Sequence, residues 1–170
     1  MDNNQAFYYI DGDPLNGNWI DLDDIYDHDD IREALAKDNI IPRNSDGNPD
    51  YDGDLLVADI EGELPAICYE GDGSFNLARF IEVRDSGIEQ SQAVAFIELF
   101  ETWDEDKCIS YYVGHFDSPD DFARNQLEQS GALQAIPDDL QSYIDFERYA
   151  EQELLICSYC QYDGHYFYNW

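Results

Sequence analysis

Lysine is nearly absent from this chain. Lys37 and Lys107 are the two it has, and Lys and Arg together number 8 in 170 residues. Nucleic acids and anionic membrane surfaces are recognised through Lys and Arg, which neutralise phosphates. Direct binding to DNA, RNA or a membrane surface is therefore excluded as an expectation. No apolar run approaches the roughly 20 residues of a membrane span. The opening Met1-Asp2-Asn3-Asn4 is acidic and polar, where a secretory leader needs positive charge and an apolar stretch. The expected location is the cytoplasm, where four cysteines would be reduced thiols. A phosphate-binding Gly loop is missing, and no nucleophile motif stands beside His28, His115 or His165.

What the chain has is acid. It carries 39 Asp and Glu, for a net charge of −31. The acids are spread throughout: 17 against 3 bases in residues 1–61, 10 against 2 in 62–105, and 12 against 3 in 106–170. Self-repulsion on this scale opposes a compact state. Disordered acidic chains are poor in large apolar residues, whereas this one is 44% hydrophobic and 15% aromatic, enough to build a core. The charge then points to a cation, a salty solvent, a basic protein or a basic groove.

Local signals divide the chain into three small units. In 1–61, Phe7–Ile10 reads as a strand, Asn16-Gly17 as a turn and Trp19–Leu22 as a second strand. A helix over Asp29–Asp38, capped by Asp29 or Asp30, carries Ile31 and Leu35 on one face and stops at Pro42. A polar loop over 43–54 leads to a strand at Leu55–Ile60. In 62–105, Ser74 caps a helix bearing Leu77, Ala78 and Ile81 that ends at Gly87. A second helix runs from Glu89 to Trp103. In 106–170, Ile109–Val113 reads as a strand. Ser118-Pro119 starts a helix that Gly131 stops. Pro137-Asp138-Asp139 opens another helix, and Asp145 caps a further turn. Leu154–Tyr159 and His165–Tyr168 flank Asp163-Gly164 as a terminal hairpin. The fold class is α+β, with antiparallel sheets in the first and third units and a helical middle.

Three chemical motifs compete for the acids and thiols. Asn48-Pro49-Asp50-Tyr51-Asp52-Gly53 resembles the start of a calcium loop, with Asp59 at the twelfth position. A one-step shift gives Asp50, Asp52, Asp54 and Glu61, with Leu55 where the turn glycine belongs. In the first register the twelfth residue is Asp rather than Glu, and a strand follows where an EF-hand has a helix. Cys157-Ser158-Tyr159-Cys160 has redox or zinc spacing, but on a strand residues three apart face opposite ways. Carboxylate pairs such as Asp23-Asp24 can serve acid–base catalysis, but arise by number alone in so acidic a chain. The chain is expected to be no enzyme and to need no metal or cofactor. Halophilic adaptation is a further account of the charge.

The segment Gly131-Ala132-Leu133, Ile136-Pro137, Leu140-Gln141, Tyr143-Ile144-Asp145 and Tyr149-Ala150 resembles the ArdA antirestriction family. Asn16-Gly17-Asn18-Trp19, Glu63-Leu64-Pro65 and the helix over Leu77–Val83 fall in the family's order. The resemblance implies an elongated chain of three small units, α/β, helical and α/β, forming a homodimer through the third. It implies a mimic of duplex DNA that occupies the DNA-binding groove formed by the specificity and methyltransferase subunits of type I restriction–modification enzymes. Such proteins protect incoming mobile DNA. Duplex carries one phosphate per roughly 1.7 Å, so twice the net charge of −31 matches at most on the order of 105 Å of duplex. A compact chain of this length has a radius of gyration of only about 15 Å. The carboxylates expected to meet the partner are Asp117, Asp120, Asp121, Asp138 and Asp139, with Asp21, Asp23, Asp24, Asp27, Asp29 and Asp30 extending the charged face. The plainer reading of each is a solvated Asp at a helix start or turn.

Overall fold

The computed structural model describes residues 3–169. The chain folds as two compact units, residues 1–90 and 91–170. The middle part expected from the sequence, 62–105, straddles the boundary between these units.

The first unit begins with an antiparallel sheet in the order β2-β1-β3. Strand β1 is Gln5–Ile10, β2 is Asp13–Asp21 and β3 is Leu55–Glu61. The chain turns at Asp11-Gly12, where Ile10 pairs with Asp13, and not at Asn16-Gly17. Asp11-Gly12 is an Asx-Gly pair like Asn16-Gly17, and register decides between them. The observed turn sets Ile20 opposite Ala6, both buried on one face. Gly17 lies inside β2 for a different reason. A Cβ there would run into the Tyr8 carbonyl oxygen, and would stand 2.7 Å from Phe7 Cε1 and 2.9 Å from Tyr9 Cβ. Gly17→Ala is expected to cost about 1–3 kcal/mol of stability by overpacking. The reading is a lower urea midpoint at unchanged slope; an unshifted midpoint would refute the close approach.

Helix α1 is His28–Lys37, capped by Asp27 rather than Asp29 or Asp30. The Asp29 and Asp30 N–H groups donate to Asp27 Oδ1 at 2.8 and 3.0 Å. Asp30 reaches back and accepts from the Tyr26 and Asp27 N–H groups, closing a capping box. Ile31 and Leu35 are fully buried, as their spacing requires. The helix ends before Pro42, because Asn39 takes a left-handed conformation (φ 60). A short helix that the periodicity did not reveal, α2 at Glu63–Cys68, buries Leu64, Pro65 and Cys68. A hairpin follows, β4 at Tyr69–Gly71 and β5 at Ser74–Phe75. Ser74 is thus in a strand, and Asn76 caps α3, Leu77–Asp85, by accepting from the Arg79 N–H at 3.0 Å.

Helix α4, Gln90–Phe100, buries Ala93–Ile97 and stops short of Trp103 where Glu101 turns left-handed (φ 58). The expected strand at 109–113 is mostly helix: α5 is Glu105–Tyr111, and β6 is Tyr112–His115. Asp104 caps α5 by accepting from the Lys107 N–H, and Glu105 and Asp106 fill its first turn. That local start signal outweighs the β character of Ile109–Val113. Helix α6, Pro119–Gln129, starts at Ser118 and ends before Gly131 (φ 77), as the sequence indicates.

A 3-10 turn at Leu133–Ala135, α7 at Asp138–Gln141 and α8 at Phe146–Tyr149 follow. The run 154–157 is helical, continuing a π turn at Ala150–Leu154 into α9, Leu155–Cys157. Sheet pairing begins only at β7, Tyr159–Tyr162, which joins β8, His165–Tyr168, across Asp163-Gly164. Both turn residues have positive φ (45 and 78), as a two-residue hairpin of this type needs. Phe122, Ala123, Leu133, Phe146, Ala150 and Tyr166 form a core cluster. Its centre is Phe122 stacked on Tyr166, ring centroids 4.0 Å apart.

Candidate protein-partner surface

Burial sorts the charge before any partner is considered. Among the described residues no Asp or Glu is buried; Asp30, Asp104 and Asp120 are half-buried and all the others are exposed. Burying an ionised carboxylate without a cation is costly, and the chain has few cations to offer. Folding therefore drives the carboxylates outward in both units. Residues 1–90 hold 23 acids against 5 bases, and 91–170 hold 16 against 3, so the units carry −18 and −13.

The first acidic set lies on the segment from the end of β2 to the first turn of α1. Asp21, Asp23, Asp24, Asp27 and Asp29 are exposed, and Asp30 is half-buried. Several are fixed by hydrogen bonds. Asn4, itself buried, donates to Asp23 Oδ1 at 2.9 Å, and the Asp23 N–H donates to Asp21 Oδ1 at 3.1 Å. Asp27 and Asp30 hold each other in the capping box. Asp29 pairs with Arg32 at 3.0 Å, which neutralises part of its charge. A cleft of about 470 Å³ is lined by Asp27, Asp29, Asp30, Arg32 and Glu33 of this region and by Asn48 and Pro49 of the polar loop.

The second set sits at two helix starts. Asp117, Asp121, Asp138 and Asp139 are exposed. Asp120 is half-buried and 3.8 Å from Arg124. Asp121 accepts from the Ser118 hydroxyl at 2.7 Å, while its own N–H donates back to that oxygen. Asp138 and Asp139 open α7, where carboxylates complement the helix dipole.

The segment that carries the ArdA resemblance does different work. Leu133 and Ala150 belong to the core cluster. Gln141 donates from Nε2 to the carbonyls of Leu133 and Ile136 at 3.2 and 3.0 Å, tying the 3-10 turn to α7. Leu133, Ala150 and Gln141 are thus scaffold, whereas Leu140 and Tyr143 of the same pattern are exposed. The family model of the ArdA antirestriction proteins matches residues 8–168, nearly the whole chain. The chain belongs to the ArdA antirestriction family. None of the curated proteins matches it.

The remaining motifs of this ArdA chain have plainer settings. In the Asp-rich loop, Asn44 Oδ1 accepts from the N–H groups of Asp46 and Asn48, and Arg43 donates to the Gly47 carbonyl at 2.7 Å. Asp59 lies on β3, opposite Phe7. Among the described residues no three His, Cys, Asp or Glu side chains come together in a group able to hold a metal ion. Cys157 and Cys160 do not share a strand: Cys157 ends α9, exposed, and Cys160 is half-buried on β7. Burial pushes the Cys68 and Cys108 thiols up to about 11, which keeps them protonated at neutral pH.

Two arginine-paired carboxyls shift the opposite way from these thiols. A hydrogen bond from Arg43 holds Glu33 below the usual carboxylate range, and Arg84 does the same for Asp85. Such a depressed group supports folding at neutral pH and loses that contribution as pH falls. Sequence reasoning missed Arg84, which bonds to residues about 60 positions away. No local signal announces such a contact.

Proposed function

We propose that this ArdA chain is a DNA mimic. It binds the DNA-binding groove of a type I restriction–modification enzyme, formed by its specificity and methyltransferase subunits, and competes there with duplex. The observation that carries the reading is the outward placement of the acids in both units, with few cations to neutralise them. Carboxylates of Asp21, Asp23, Asp24, Asp27, Asp29 and Asp30, and of Asp117, Asp120, Asp121, Asp138 and Asp139, stand in for phosphates and meet Lys and Arg of the groove. Association is steered by charge and weakens with salt. No bond is made or broken, and no cofactor takes part. The protein acts in the cytoplasm as a homodimer joined through residues 106–170 and protects incoming mobile DNA.

The test is competition. A type I enzyme is mixed at low salt with labelled target duplex and this protein. Displacement of the duplex at stoichiometric protein is expected; no displacement from enzymes of two type I families would sink the reading. A linked prediction separates binding from folding. Raising salt from about 0.1 M to 1 M shortens the screening length from roughly 10 Å to 3 Å. Affinity for the enzyme should fall while the thermal midpoint of the free protein rises, because self-repulsion is screened. A midpoint that falls with added sodium chloride would contradict this account of the charge.

A further inference from the structure

Arg84, near the end of α3, spends its guanidinium on main chain. Nη1 donates to the carbonyls of Leu22, Asp23 and Ile25 at 2.8, 3.1 and 2.6 Å. Nε and Nη2 take the two oxygens of Asp85 at 2.7 and 3.2 Å. The rings of Tyr26 and Phe80 lie 5.0 and 5.8 Å from the guanidinium carbon. The side chain is 12% exposed. The carbonyls it gathers belong to a segment without helix or strand that connects β2 to α1. That segment carries Asp23 and Asp24, follows Asp21 and ends at the cap residue Asp27.

We infer that Arg84 is a positioning residue, a clamp that fixes residues 22–27 so that Asp21, Asp23, Asp24 and Asp27 present their carboxylates in one arrangement to the partner. This rests on the reading of the chain as a DNA mimic. Main-chain carbonyls without a regular ladder need a donor, and a planar fork with five N–H groups serves several of them at once. From the other side Asn4 holds the Asp23 carboxylate, so the segment is pinned at both main chain and side chain. Fixing the charges before binding removes the ordering cost at the moment of association.

Charge and positioning predict opposite signs. Arg84→Gln takes the net charge from −31 to −32, which by itself favours a basic groove. A lost clamp weakens binding instead, by about tenfold if a few side chains must be ordered again. Arg148→Gln makes the same charge change on α8, in the other unit. Enzyme affinity is measured by competition, and amide hydrogen exchange of residues 22–27 in the free protein.

Arg84→Gln should bind about tenfold more weakly and exchange faster there, while Arg148→Gln binds as tightly as the parent or more so. Arg84→Lys keeps the charge but lacks the fork, and should fall between parent and Arg84→Gln. Parent-like affinity with parent-like exchange in Arg84→Gln overturns the inference. If Arg84→Gln does not fold, Arg84→Lys decides: faster exchange confined to 22–27 supports the clamp, and parent-like exchange overturns it. Failure of the parent protein to displace duplex counts against the mimic reading, and the exchange measurement still judges the clamp.

Discussion

Replacing Asp21, Asp23, Asp24, Asp27, Asp29, Asp30, Asp117, Asp120, Asp121, Asp138 and Asp139 together by Asn is expected to weaken binding to a type I enzyme roughly a thousandfold at low salt. An exposed charge pair contributes about 0.2–1 kcal/mol. Loss of any one is therefore small, and loss of the set is several kcal/mol. The net charge falls from −31 to −20. Asn is the right replacement because it serves as well as Asp at an N-cap, so the cap of α1 survives. The ion pairs Asp29–Arg32 and Asp120–Arg124 disappear, but both remain accessible to solvent and are screened. Relief of repulsion should at the same time raise the thermal midpoint. Competition titration and a melting curve on the same sample test both halves. Affinity within threefold of the parent would remove these residues from the partner surface, whatever happened to the midpoint.

Phe122→Ala should destabilise the protein by about 3–5 kcal/mol, the range for emptying an aromatic site in a core. Phe122 is fully buried. Its ring stacks on Tyr166 and meets the edges of Phe116 and Tyr159 at 5.4 and 5.1 Å. Removing it strips these three rings of a shared packing partner. Domains are stable by only about 5–15 kcal/mol, so this single change reaches a large part of the total. Urea unfolding followed by tyrosine and tryptophan fluorescence measures it. A loss below about 1 kcal/mol would mean that the aromatic cluster is not what holds residues 91–170 together.

Legibility followed the range of the interaction. The start of α6 at Ser118-Pro119, its end at Gly131, the cap at Asp145 and the hairpin at Asp163-Gly164 all rest on residues within a few positions of each other, and all are where the sequence puts them. Apolar runs were less decisive. Ile109–Val113 and Leu154–Tyr159 suit strands, but one follows a capped helix start and the other continues a helical turn, so most of each is helix. Helix α2 is too short for a period to show. On the proposed surface, the carboxylates were countable from the sequence, whereas their fixing was not. The bonds from Asn4 to Asp23 and from Arg84 to the Leu22–Ile25 carbonyls join residues 19 to 62 positions apart.

By itself the sequence determined the sign and amount of charge, the α+β class and, through the segment Gly131–Ala150, the family. These depend on composition and on neighbours along the chain. Tertiary structure alone decided which Asx-Gly pair turns, which aspartates become caps and which become partners of arginine, and which carboxylates are held in place. Each of those is a choice between local options of similar energy, settled by contacts that exist only once distant residues have met.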